Sequence, residues 1–250
     1  MSDAFDLRGK LALVTGSSRG IGAAIARHLA SHEARVLVNY VADDAGTNLA
    51  DAQQLAAEIA GEVIQCNVGD EPQVAAMFER IRDEYGGLDI LVNNAGILRD
   101  RTLKKMTPQD WELVLRVNLS GAFHCIHHAM PLLKPNARIV NLSSVNAYMG
   151  LFGTANYAAS KAGLLALTKT AARELARQGT TVNAIAPGFV DTEMTRGMPQ
   201  EIARQYLEQI PLGRFASVDD IARVVIFLCS PSANYITGQV MHVNGGYFMP

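Results

Sequence analysis

Three side chains between Ser144 and Lys161 carry groups able to hold or move a proton: the Ser144 hydroxyl, the Tyr157 phenol and the Lys161 amine. Tyr157 and Lys161 lie four apart in an alanine-rich run, ANYAASKAG, that reads as helix, and residues at that spacing share a helix face. A phenol ordinarily titrates near pH ~10, too high for efficient proton transfer in a cell. A cation about 4 Å away, at an effective dielectric near 20, is worth roughly 4 kcal/mol, or about three pKa units. The spacing therefore expects Lys161 to draw the phenol toward neutrality, where general acid–base catalysis works best. The same pairing is common on helix surfaces, so the case for chemistry depends on the rest of the chain. Of the seven tyrosines, Tyr157 alone has a lysine at that spacing.

The elements needed to position such a group are legible from the amino terminus onward. Residues 10–15 (KLALVT) read as a buried strand, followed by the glycine-rich GSSRGIG and a helical pattern over 23–30. Strand, glycine turn and helix form the first unit of a dinucleotide-binding fold. Gly16, Gly20 and Gly22 let the backbone approach a pyrophosphate, while Ser18 and Ile21 lie between them where the helix amides begin. A second strand, 35–40, ends at Tyr40 where an NAD-binding fold would place a carboxylate on the ribose, and the first acid comes only at Asp43. Arg19, inside the glycine loop, has the guanidinium needed to grip a 2′-phosphate. Both features point to NADP(H).

The alternation continues: helix 50–59, strand 62–66 ending at Asn67 and Val68, helix 74–85, and strand 88–92 ending at Asn94, Ala95 and Gly96. Near-continuous apolar strands separated by helices imply a parallel sheet covered on both faces. A long helix is expected over 107–133, a strand over 138–142, a helix from Ser144 onward to about 177, a strand over 181–186 ending at Pro187 and Gly188, a helix over 218–228 and a last strand over 239–243. Residues 189–216 interrupt the rhythm with methionines, prolines and glycines and read as a substrate lid. No linker or low-complexity tract divides the chain, so 1–250 is expected to be one α/β domain: a Rossmann-like, doubly wound, seven-stranded parallel sheet flanked by helices on both faces.

Composition narrows the function classes. Nearly half of the 250 residues are hydrophobic (49%) and 18% are charged, which suits a packed enzyme-sized core. A net charge of -2 offers no electrostatic case for nucleic acid or an anionic membrane. Cys66, Cys125 and Cys229 are scattered without C-x-x-C spacing, which favours a reducing compartment. No apolar run reaches membrane-span length and the start lacks a signal segment, so a cytoplasmic location is expected. His124, His127 and His128 cluster on one helix without an acid or thiol spaced to complete a metal site, so no metal is expected. Asn118, flanked by Val117 and Leu119, needs hydrogen-bond partners: it either bridges to backbone or holds a water.

With these residues in place, the chain resembles the short-chain dehydrogenase/reductase family over nearly its whole length. TGSSRGIG at 15–22, NNAG at 93–96, Asn118, Ser144, Tyr157-x-x-x-Lys161 and Pro187-Gly188 all fall in that family's order. The resemblance implies that Tyr157 is the general acid in ketone reduction, that Lys161 lowers its pKa and binds the nicotinamide ribose, and that Ser144 holds the carbonyl. It further implies that Asn118 anchors a water relaying protons to Lys161, that Asn67 and Val68 contact adenine, and that Val190 and Thr192 lie near the nicotinamide. An aspartate is common in the family where Asn67 stands.

Within the family, ANYAASKAGL, TVNAIAPGFV and YITGQVMHVNGG resemble reductases of 3-oxoacyl thioesters, and SSVN with KMTPQDW resembles acetoacetyl-CoA reductases. The implied reaction is NADPH-dependent reduction of a 3-oxoacyl group on acyl carrier protein or CoA. A carbonyl reductase or alcohol dehydrogenase of other ketones or polyols is the alternative. Asn146, Phe152, Phe189 and Met194 are expected to select the substrate. Where carrier-protein reductases place arginines to meet the acidic carrier, this chain has Pro135 and Gln178, with Lys134 and Arg177 adjacent. The resemblance also implies a homotetramer paired through the Asn118 and Tyr157 helices, whose alanines Ala158, Ala162 and Ala166 permit close approach.

Overall fold

A computed structural model describes residues 5–250, the side chain of Met194 excepted. The apolar runs become seven strands: β1 (Leu11–Val14), β2 (Arg35–Tyr40), β3 (Glu62–Gln65), β4 (Leu88–Asn93), β5 (Leu133–Leu142), β6 (Thr181–Pro187) and β7 (Val240–Val243). They form one sheet in the order β3-β2-β1-β4-β5-β6-β7, with every neighbouring pair parallel. The order reverses between β1 and β4, and an open parallel sheet binds ligands at the carboxyl ends of the strands on either side of such a switch.

Ten helices accompany the sheet among the described residues: α1 (Gly20–Ser31), α2 (Thr47–Glu58), α3 (Glu71–Tyr85), α4 (Pro108–Leu115), α5 (Gly121–Ala129), α6 (Asn146–Met149), α7 (Ala155–Leu175), α8 (Glu193–Arg196), α9 (Gln200–Glu208) and α10 (Val218–Cys229). Alternate strand residues face opposite sides, which divides the core in two. Ala12 and Val14 pack with α1, α2 and α10; Leu11 and Leu13 pack with α3, α5 and α7. Helix boundaries follow local chemistry. Asp70 accepts from Gln73 N to start α3, and Gly86 ends it with left-handed φ. Ser217 and Asp220 bond reciprocally through side chain and backbone at the start of α10.

The single helix expected over 107–133 is a correction. Thr107 and Pro108 do open it, but α4 gives way to a π-helical turn, Arg116–Ser120, before α5 resumes. A π turn carries one extra residue within the helix, and Asn118 lies at its centre. Pro131, which lacks an N–H, falls in a short 3-10 turn that closes the helix, and β5 begins at Leu133 rather than 138. Residues 133–137 make the irregular part of the β4–β5 register, which becomes regular at Ile90 opposite Arg138. Residues 189–216 leave the sheet as one excursion carrying α8 and α9. Its base is closed by a bridge between Val190 and Ala216, and no described residue of α9 is buried.

Candidate active site

The glycine loop is held from beneath by two asparagines. Asn39 Oδ1 accepts from Gly16 N at 2.9 Å, and Asn94 Nδ2 donates to the carbonyls of Thr15 at 3.0 Å and Gly16 at 2.9 Å. Gly20 has φ +59 with nothing within 4 Å of where a Cβ would stand, whereas a Cβ on Gly22 would come within 2.5 Å of Asn94 Nδ2. The first amides of α1 have no intrahelical acceptor, and neither a side-chain cap nor an acidic residue fills that first turn. Free amides, a positive helix end and an open glycine cradle fit the pyrophosphate of a dinucleotide. Arg19 lies half-exposed at the rim, paired with Asn48 and 3.8 Å from Asp51, while Tyr40 is buried at the end of β2.

β5 and α7 deliver the proton-handling groups. Ser143 donates to the Lys161 carbonyl at 2.9 Å and fixes the strand end against the helix, so Ser144, the next residue, stands beside Tyr157. Lys161 is buried, lies 5.6 Å from the Tyr157 ring centroid and donates to the Leu142 carbonyl at 2.6 Å. Burial pushes the Lys161 ammonium down to about 8. Burial pushes the Tyr157 phenol up; the Ser144 hydroxyl opposes this and the negative charge of Asp100 adds to it. Helix spacing expects Lys161 to lower the phenol, whereas its ammonium is directed to the Leu142 carbonyl.

Asn118 projects from the π turn to the loop after β4. It accepts from Ile97 N at 2.8 Å and donates to the Ile97 carbonyl at 3.0 Å and to Ser160 Oγ at 3.3 Å. A Cβ on Gly96 would lie 3.4 Å from Asn118 Oδ1 and 3.6 Å from Lys161 Nζ, so the two side chains converge on one point beside that glycine.

The chain is similar to proteins of known class. The family model described as Enoyl-(Acyl carrier protein) reductase matches residues 16–248. The 3-oxoacyl-[acyl-carrier-protein] reductase FabG of Staphylococcus aureus is 48% identical over 242 residues, covering 96% of this chain and 98% of that protein. The Escherichia coli protein of the same name is 43% identical, covering 98% and 99%. A double mutant of a Serratia marcescens short-chain dehydrogenase/reductase superposes with a TM-score of 0.89 at 36% identity, covering 96% and 98%. The chain belongs to the short-chain dehydrogenase/reductase family. It is an oxidoreductase, and the family uses a nicotinamide cofactor.

Other expected positions of this short-chain dehydrogenase/reductase fall at the same carboxyl edge with varied surroundings. Asn67 Oδ1 accepts from Gly69 N at 3.0 Å, and Val68 is buried, close against Gly121 of α5. Ala95 N donates to Thr15 Oγ1 at 3.1 Å. The Pro187 carbonyl accepts from Val145 N at 2.9 Å, and Gly188 N donates to Val243 O at 3.0 Å. Val190 is buried, and Thr192 N donates to Thr195 Oγ1 at 2.9 Å as α8 begins. Ser18 and Ile21 are half-buried along the cradle.

Two of the expected substrate positions have protein partners. Asn146 is buried with its amide bonded to Thr154 Oγ1 and Leu151 N, which shapes the loop. Phe189 lies in an aromatic cluster with Tyr206, Phe215 and Tyr247, at centroid distances of 4.2, 5.5 and 5.5 Å, and anchors α9. Phe152 is 91% exposed on a loop tied to Arg101 N through Gly153 O at 2.8 Å. The side chain of Met194 lies outside the described residues.

The histidines have protein partners: His128 meets Glu71 at 2.7 Å, and His124 lies 3.4 Å from the Val68 carbonyl. Among the described residues no group of three or more His, Cys, Asp or Glu is placed to hold a metal ion, and no helix is long and apolar enough to cross a membrane.

Sequence reasoning missed Asn39 and Asn156. Asn156 is fully buried. Its Oδ1 accepts from Tyr157 N at 2.8 Å and its Nδ2 donates to the carbonyls of Arg99 at 3.0 Å and Asp110 at 3.2 Å. It therefore ties the start of α7 to the loop after β4 and to α4. The available signal was an amide in an apolar strand for Asn39, and an amide directly before the tyrosine for Asn156.

Proposed function

We propose that this short-chain dehydrogenase/reductase is an NADPH-dependent reductase of 3-oxoacyl thioesters. The observation that carries the reading is the placement of Ser144 and Tyr157 beside buried Lys161 at the sheet edge that also bears the glycine cradle. When bound, the nicotinamide supplies a hydride to the ketone carbon. Ser144 and Tyr157 hold the ketone oxygen, and Tyr157 gives it a proton, leaving a 3-hydroxy product and a phenolate. The protonated phenol is the form that a general acid needs. Lys161 returns the proton, and its convergence with Asn118 beside Gly96 supports the water relay that the family resemblance implies.

The cofactor reading rests on Arg19 at the rim and on Tyr40, not a carboxylate, at the end of β2. The substrate reading rests on relatives named as 3-oxoacyl reductases at 43–48% identity. The family model's description names an enoyl group instead. Two hydroxyls meeting at one point suit a ketone, whose oxygen must gain a proton, and we take the ketone as substrate. The thioester is borne on acyl carrier protein or CoA; Pro135 and Gln178 remove two cationic contacts to a carrier, and Lys134 beside them is held by Asp89 at 3.1 Å.

Residues 189–216 act as the lid, hinged at the Val190–Ala216 bridge. The enzyme assembles as a homotetramer through α4, α5 and α7, where Trp111 and Phe123 are exposed. The three buried free thiols suit the cytoplasm.

The test is steady-state loss of reduced-nicotinamide absorbance with acetoacetyl-CoA, set beside simple ketones, and with NADPH against NADH. Preference for the thioester and for NADPH is expected. Robust turnover of simple ketones with none of the thioester would overturn the substrate, and preference for NADH would overturn the cofactor.

A further inference from the structure

A row of hydrogen-bonded side chains crosses the apolar core between the sheet and α7. Asn93 of β4 donates from Nδ2 to Asn141 Oδ1 at 2.8 Å. Asn141 of β5, directly opposite it in the register, donates from Nδ2 to Thr168 Oγ1 at 2.9 Å. Thr168 of α7 donates in turn to the Leu164 carbonyl at 2.7 Å. Asn141 and Thr168 are 0% exposed, and Leu91, Ile139, Ala171 and Ala172, their near neighbours in sequence, belong to the apolar core on this side. Polar groups so deep are costly unless their bonds are made, and here the sense of each bond is fixed. A hydroxyl has one proton. That of Thr168 goes to Leu164, so Thr168 accepts from Asn141, whose amide oxygen then turns to Asn93.

These bonds act on the helix that carries Tyr157 and Lys161. Apolar burial is non-directional, so it holds α7 against the sheet more firmly than it fixes the rotation of the helix about its axis. Two directional contacts with β5 fix that rotation: Ser143 Oγ on the Lys161 carbonyl at 2.9 Å, and Asn141 on Thr168. Ser143 and Asn141 are two apart and share a strand face. Thr168 is seven residues beyond Lys161, two helical turns along the same face and roughly 10 Å along the axis. Either contact alone is a pivot; together they set the line of the helix. With both made, Lys161 Nζ reaches the carbonyl of Leu142, the strand residue between Asn141 and Ser143, at 2.6 Å.

We propose that Asn141 and Thr168 are positioning residues for Lys161. By fixing the rotation of α7 they hold the Lys161 ammonium, and Tyr157 one turn before it, at the carboxyl edge of the sheet. The proposal rests on the reading of Lys161 as the group that returns the proton to Tyr157.

Thr168→Val keeps the shape of the side chain and removes its hydroxyl, while Thr168→Ser keeps the hydroxyl. Two readouts serve: turnover of acetoacetyl-CoA per NADPH-binding site, counted by fluorescence titration so that unfolded chains do not enter, and the Nζ resonance of Lys161 in protein carrying isotope-labelled lysine. A misplacement of about 1 Å costs on the order of 100-fold in rate, so Thr168→Val should lower kcat at least about tenfold with KM held within about twofold. It should also move the Lys161 resonance, and Thr168→Ser should restore both. Asn141→Leu combined with Thr168→Val removes the contact without leaving an unmet Asn141 amide; the same losses are expected, and this pair decides if the single variant does not fold. Native turnover per site in either variant overturns the proposal, as does a Lys161 resonance that stays in place or a loss that Thr168→Ser does not restore. If the native protein does not reduce acetoacetyl-CoA, the proposed function falls, and the resonance by itself tests the positioning.

Discussion

Asn118 and Ile97 hold each other by two hydrogen bonds: the Ile97 amide donates to Asn118 Oδ1 at 2.8 Å, and Asn118 Nδ2 donates to the Ile97 carbonyl at 3.0 Å. A helix side chain thus takes the place of a strand's edge and fixes the loop that leaves β4 for the active site. Asn118→Leu keeps the volume but leaves the half-buried Ile97 amide and carbonyl without their partner, each costing up to about 1–3 kcal/mol. A loss of roughly 2–4 kcal/mol in denaturant unfolding is expected. An unchanged midpoint would mean that the loop does not depend on this pairing.

Gly20 and Gly22 should fail in different ways. Alanine at Gly22 meets Asn94 Nδ2 and the Gly16 carbonyl at 2.5 Å, so Gly22→Ala is expected to unfold or strongly destabilise the chain. At Gly20 the space is open but φ is +59, which costs about 1–2 kcal/mol for an L-residue. Gly20→Ala should fold with a modestly lower melting midpoint and lose NADPH affinity in a fluorescence titration, since its methyl enters the cradle. Equal affinity for NADPH would place the pyrophosphate elsewhere.

How much of this was legible depends on the kind of information. Period and composition of the apolar runs located all seven strands, and the carboxyl edge followed from their parallel order. The π turn at Arg116–Ser120 was not visible, because its cause is the tertiary pull of Ile97 on Asn118 and not any local propensity. Where the Lys161 amine turns was not visible for a related reason. An i,i+4 spacing fixes which face two groups share but not whether the amine turns to the phenol or, as here, to Leu142 O. The partners of Asn146 and Phe189 were not legible either: Asn146 Oδ1 accepts from Leu151 N, and Phe189 packs on Tyr206 of α9.

Lys161 makes stability depend on pH in a defined direction. Burial lowers its proton affinity from 10.5 to about 8. Between those values the unfolded chain binds a proton that the native chain releases, so this group's contribution rises with pH and is lowest below 8. The full swing is about 3 kcal/mol. Urea unfolding of the native protein and of Lys161→Met across pH 7–11 should show the native chain gaining on the variant. Parallel curves would contradict the burial of a titrating amine.

The proposed preference for NADPH rests on Arg19. Its half-exposed guanidinium already shares Asn48 and Asp51, so its loss should cost little stability. Arg19→Ala is expected to weaken NADPH at least about tenfold, the loss of a charge-assisted pair, and to leave NADH nearly unchanged. Equal effects on both would show that the arginine does not read the 2′-phosphate.

The central claim is that Tyr157 donates the proton to a ketone held beside Ser144. Tyr157→Phe removes one oxygen and leaves the cradle, Lys161 and the ring packing in place. The rate of acetoacetyl-CoA reduction by NADPH should fall by at least about 100-fold, with NADPH affinity held within about twofold by fluorescence titration, well under the ~1.4 kcal/mol of a tenfold change. A variant that reduces the thioester within tenfold of the native rate would contradict the account.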